Sequence, residues 1–211
     1  MSSSAVSDPS PEQIVTAATN VASTMSGGQF YAVEGGAACV LLGSTRQTAD
    51  LHFVVPKGET KAARSLLRSN PDVFHVEKRT NHTEYKSNPP VEIEILAPPA
   101  LFKEEFSTST PTIIVNNVRV LKPTLILNAK CGSILGRASE EKKRTDATDI
   151  MFLLRWCARN GMAPTQSEVP NATQQFVNYF IATFGRADLW AEAGYNAETG
   201  IVYYLPSGAS F

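Results

Sequence analysis

Cysteine is scarce in this chain, and what there is excludes two classes of protein. Cys39, Cys131 and Cys157 are odd in number and widely spaced, with no CxxC pair and no adjacent histidine. That pattern argues against a disulfide framework and against a zinc site, and it fits reduced thiols inside a cell. Long apolar runs are lacking too. The longest, 37-AACVLL-42 and 150-IMFLL-154, fall far short of the roughly 20 residues a membrane helix needs. Residues 1–10 are polar and serine-rich, without the basic and apolar segments of a secretory signal, so they read as a disordered tail and the expected location is cytoplasmic. Neither sign of charge is in excess. Nineteen Lys and Arg stand against twenty Asp and Glu, a net charge of -1, and no basic field argues for nucleic acid as an obligate partner. What remains is globular: 211 residues, 43% hydrophobic, enough for one domain with appended helices or a small domain pair. Nothing in the chain fixes an oligomeric state.

The pattern along the chain gives the class. Ser10-Pro11-Glu12 supplies a cap, a first-turn proline and an acid, predicting a helix to Met25 with Ile14, Ala17, Ala18, Val21 and Met25 inward. Gly27-Gly28 ends it, and 29–33 read as a strand. Gly35-Gly36 turns into a short helix closed by Gly43, and a strand spans Asp50 to Val55. An amphipathic helix follows over 59–69, then short strands at 73–77, 82–86 and 91–96. A hairpin through 112–115 and 118–121 turns at Asn116-Asn117. Beyond Pro123 the pattern is helical, at about 124–137, 140–158, 171–184 and 187–194. The expected fold class is α+β. A mixed sheet flanked by helices occupies 11–122, and a helical carboxyl-terminal region packed on that core occupies 123–211.

The chemistry concentrates in the first half. A Gly-Gly turn that opens a helix frees backbone N–H groups for a phosphate, and the missing side chains permit close approach. Asp50 and His52, at i and i+2 on a strand, point to one face. Glu94, on a later strand, would join them from a neighbouring position. Acids converging from adjacent strands are what a divalent cation needs to hold a triphosphate.

The stretch from Gly35 to Val55, GGAACVLLGSTRQTADLHFVV, resembles the signature of the polymerase-beta nucleotidyltransferase superfamily. That signature is a glycine pair, a spacer, then Asp-apolar-acid on a strand. The minimal and toxin-type members are nearest, with an Arg-x-Thr-x-Asp segment matched here by Arg46, Thr48 and Asp50. Lys130, Arg137 and the segment holding Asp146 and Asp149 follow in the superfamily's order. The resemblance implies transfer of a nucleoside monophosphate from an NTP to an acceptor hydroxyl or phosphate. It also implies a divalent cation, Mg or Mn, held by Asp50, His52 and Glu94. Gly35, Gly36, Ser44, Arg46 and Lys130 would surround the nucleotide, and Asp146 would be a late acid of the site.

Two positions depart from the pattern. Glu34 stands where an apolar residue precedes the glycine pair, and His52 replaces the second carboxylate. Mg2+ demands oxygen ligands, whereas manganese or zinc accepts imidazole more readily. His52 is therefore open to three readings: ligand for a softer metal, hydrogen-bonding residue in a site that no longer transfers nucleotides, or acid/base group. Three functions follow: an active nucleotidyltransferase with an altered metal site, a binding module that kept the fold, or metal-free cyclisation or isomerisation of a small molecule. The ligand is an NTP in the first, a partner or ligand in the old nucleotide cleft in the second, and the small-molecule substrate in the third. Lys130 lies on an apolar helix face with Leu127 and Ile134, unusual for a solvated lysine. Arg137, Lys143 and Arg144 also read as surface charges or as partners of Asp146 and Asp149, and those aspartates also read as fixing a helix against the sheet. Trp156, Trp190, Phe176, Tyr179 and Phe180 fall at helical spacings and read as core or as the lining of an acceptor pocket.

Overall fold

A serine and a proline begin the fold. In the computed structural model, which describes residues 8–196, Ser10 accepts a hydrogen bond from the backbone N–H of Gln13, and the Gln13 side chain accepts from that of Ser10. This reciprocal cap, with Pro11 in the first turn, starts helix α1 (Pro11–Met25). Residues 1–7 of the expected tail, and everything after Asn196, lie outside the described residues.

The chain divides into two compact units, Met1–Leu121 and Lys122–Phe211. The first continues with β1 (Ala32–Glu34), α2 (Gly35–Leu41), β2 (Asp50–Val54), α3 (Thr60–Arg68), β3 (Phe74–Val76), β4 (Thr83–Tyr85), β5 (Val91–Leu96), β6 (Thr112–Val115) and β7 (Val118–Leu121). The seven strands form one mixed sheet in the order β3-β4-β5-β2-β1-β7-β6. The class is α+β, as expected from the sequence. Asn116 and Asn117 both take positive φ, the conformation a two-residue hairpin turn requires, and they join β6 to β7 antiparallel.

Strand β2 lies between β1, antiparallel, and β5, parallel. Its Leu51 and Phe53 are fully buried, as are Val33 beside them and, nearly, Ile93 and Ile95 across from them. Helices α1 and α3 pack against this sheet. Strand period then sends Asp50, His52, Glu92 and Glu94 to the opposite face.

Several boundaries differ from the sequence reading by a few residues, and one of them matters. The first strand occupies 32–34 rather than 29–33. The Gln29 N–H bonds back to Met25 of α1, and Phe30 stacks on Phe106 at 5.2 Å, so neither residue joins the sheet. Glu34 is thereby drawn into β1, directly across from His52.

The second unit holds α4 (Pro123–Ile134), α5 (Glu140–Arg159), α6 (Gln174–Phe184) and α7 (Ala187–Glu192). Thr173 caps α6 through the Phe176 N–H. Phe176, Phe180 and Trp190 meet in edge-on and tilted contacts and are buried, whereas Trp156 and Tyr179, grouped with them by spacing, are only half-buried.

Candidate active site

Three carboxylates surround one imidazole on the polar face of the first unit's sheet. His52 Nε2 lies 3.1 Å from Asp50 Oδ2 and 3.1 Å from Glu94 Oε2, and its Nδ1 lies 3.4 Å from Glu34 Oε1. The register builds this directly, since His52 faces Glu34 on one side and Glu94 on the other, with Asp50 two residues back along its own strand. Nε2 is shielded from solvent and in line with neither carboxylate, so it is held by charge between two oxygens rather than by one directed hydrogen bond. Asp50, His52 and Glu94 thus come together as the sequence predicts. Glu34 is the addition. It was visible in the sequence only as a departure from the motif, and the signal was that the two departures, an acid gained and an acid lost, occur as a pair.

This environment fixes the charge of the histidine. Burial alone would lower its pKa, but the carboxylates of Asp50 and Glu34 outweigh that and raise it to about 10. The same contact with His52 holds Asp50 below the usual carboxylate range, against burial and with help from Thr48 and Arg46. At neutral pH the centre is an imidazolium among acids. The stability this adds is fully present below pH 6.5, the unfolded value, and is lost as pH rises through about 10. His52 is 27% exposed, and the loss amounts to a few kcal/mol, on the order of what such a shift implies. Denaturant midpoints should therefore fall between pH 7 and 10 in the wild type, and the slope should flatten in His52→Asn.

The acids that the resemblance gives to a divalent cation are here turned on the His52 imidazolium. A ligating imidazole must be neutral, and here a metal would first have to displace a proton held to about pH 10. Among the described residues no group of three or more His, Cys, Asp or Glu side chains is disposed to hold a metal ion. His52 supplies the positive charge itself.

The glycine turn is also filled by the chain. Gly35 takes φ +65°, the left-handed region where a side chain is strained, and a Cβ on Gly36 would lie 2.1 Å from Arg46 Nη2 and 2.8 Å from Thr48 Oγ1. The room that reads in the sequence as space for a phosphate receives the Arg46 guanidinium. Ser44 Oγ accepts from the Arg46 N–H, and Thr48 Oγ1 donates to Asp50 Oδ1 at 3.2 Å. These four residues therefore set the position of Arg46 and Asp50.

In the second unit, Lys130 Nζ lies 2.8 Å from both Asp146 and Asp149. Asp146 also accepts from Arg137 Nε at 2.7 Å and from Ser133 Oγ. Burial raises the pKa of Asp146, but Arg137 and Lys130 overcome that and leave it below the usual range. Lys143 instead pairs with Glu140. The apolar helix face around Lys130 holds a buried ion cluster.

Among the described residues no helix is long and apolar enough to cross a membrane. No family model and no curated protein matches the chain. Solved structures do match. An antigenic nucleotidyltransferase-like protein from Paracoccidioides brasiliensis is 22% identical with a TM-score of 0.63, over 88% of this chain and 94% of that one. A candidate nucleotidyltransferase from H. pylori is 15% identical with a TM-score of 0.54, over 87% of this chain and 88% of that one.

Proposed function

We propose that this chain, which has the nucleotidyltransferase fold, binds a nucleoside triphosphate at the Glu34–Asp50–His52–Glu94 face and transfers its nucleoside monophosphate to an acceptor hydroxyl. One observation carries the reading. The acids at 50 and 94, where the resemblance expects them, are organised around a fixed cation in the form of the His52 imidazolium. In the reaction the acceptor oxygen forms a bond to the α-phosphorus, the bond to the bridging α–β oxygen breaks, and pyrophosphate leaves. The acceptor's proton passes to Asp50 or Glu94, whose side chains are partly exposed. Arg46, beside Asp50, draws the nucleotide's phosphates, and His52 offsets the charge of the acids that face the incoming anion.

The test is transfer of label from an α-phosphate-labelled NTP to a panel of hydroxyl acceptors, with and without chelator. Labelling should survive chelation and fall at least tenfold in Asp50→Asn and Glu94→Gln. Calorimetry that finds no binding of any of the four NTPs to the wild type overturns the reading and leaves a fold kept for another purpose.

A further inference from the structure

A second cluster of charge lies in the first unit, and none of the residues discussed so far belongs to it. A cavity of about 390 Å³ is lined by Lys61, Arg64, Ser65 and Arg68 of α3 and by Lys78 and Asn81 of the β3–β4 turn. Four of its six lining residues are cationic and none is acidic. The helix contributes three of them at i, i+3 and i+7, one stripe along α3, while Ala63 and Leu67 face inward and are fully buried. The turn is built to hold its part. Asn81 takes φ 62° and returns a backbone hydrogen bond to Glu77, whose carboxylate accepts from the Arg79 N–H.

Cations collected in a concavity repel one another, and a folded chain ordinarily interleaves acids among them. Here none of the four makes an ion pair among the described residues. Arg64 adds an independent sign, because its Nε is shielded and has no acceptor. A group that brings several oxygens and negative charge together would relieve both conditions. Guanidinium pairs and lysines are the usual donors to phosphate. The volume lies in the range of small-molecule sites, about 300–1,000 Å³, and the four cations sit on one helix stripe and one turn, a footprint that suits a compact anion.

We propose that this cavity is a binding site for a compact polyphosphate, either free or as the phosphate end of a nucleotide, separate from the face that holds His52. The full chain is titrated by calorimetry with tripolyphosphate, with ATP and with sulfate, at low and physiological salt. Tripolyphosphate or ATP should bind the wild type, and affinity should fall at least tenfold in both Arg64→Gln and Lys78→Gln, one on the helix and one on the turn. It should also weaken severalfold as salt rises. The losses in Arg64→Gln and Lys78→Gln should persist when each is made in an Arg46→Gln background, which separates this cavity from the proposed transfer site. Taking only the binding that Arg64→Gln and Lys78→Gln remove, equal affinity for the two ligands assigns free polyphosphate, tighter binding of ATP assigns a nucleotide, and either supports the proposal. It is overturned if both cavity variants bind as the wild type does, if sulfate binds as tightly as tripolyphosphate, or if a single-stranded oligonucleotide binds and tripolyphosphate fails to displace it.

Discussion

Lys130→Met should cost the second unit about 3–5 kcal/mol, the usual penalty for breaking a buried ion pair from one side. Asp146 and Asp149 are 2% and 0% exposed, and the Lys130 ammonium sits 2.8 Å from each. Removing it takes away a cation that reaches both carboxylates. Arg137 still reaches Asp146. A double variant, Lys130→Met with Asp149→Asn, should recover about 2 kcal/mol relative to the sum of the single effects, because neighbours in one network are not additive. Denaturant unfolding of the four proteins measures this. If Lys130→Met loses under about 1 kcal/mol, the cluster is not structural and the nucleotide role implied by the resemblance gains ground.

His52→Asp should have the next largest effect, and its sign depends on metal. The substitution restores the letter that the resemblance leads one to expect, yet in this protein it would gather a fourth carboxylate beside Glu34, Asp50 and Glu94 and remove their cation. Without divalent ions the variant should lose about 2–4 kcal/mol, seen as a melting temperature lower by roughly 5–15 °C for a chain of this size. Adding Mg2+ or Mn2+ should return most of that loss, because four converging acids make a hard-cation site. The wild type should gain little from the same addition. Equal stabilisation of both proteins by metal would mean that the imidazole is not the cation of the site.

The sequence made most of the fold legible because its local signals agree with its long-range ones. Ser10-Pro11 with Gln13, the strict alternation of 91-VEIEIL-96 and the Asn116-Asn117 turn each have one physical solution, and each forms. The site was legible in part. Asp50, His52 and Glu94 could be placed on one face from strand period and motif order alone. Glu34 could not, because its role depends on a cross-strand register that sets it opposite His52. That register follows from where β1 begins, which the aromatic contact of Phe30 decides at a distance in sequence. Gly36 shows the same limit from the other side. A glycine beside a helix start reads as room for a ligand, but only coordinates reveal that Arg46 occupies it. The apolar surroundings of Lys130 announced a buried partner. Their identity, two aspartates one helix later, needed the packing of α4 on α5. The basic cavity has no signature in the sequence, since Lys78 and Asn81 join the α3 stripe only through the β3–β4 turn.

The claim on which the site rests is that residue 52 carries a proton, and a positive charge, where the motif would have an acid. The imidazole resonances of His52, assigned by their loss in His52→Asn, report this directly when followed by NMR from pH 5 to 11. The account predicts a ring still doubly protonated at pH 8 that titrates near pH 10. A midpoint close to 6.5, with a neutral ring at pH 8, would contradict it.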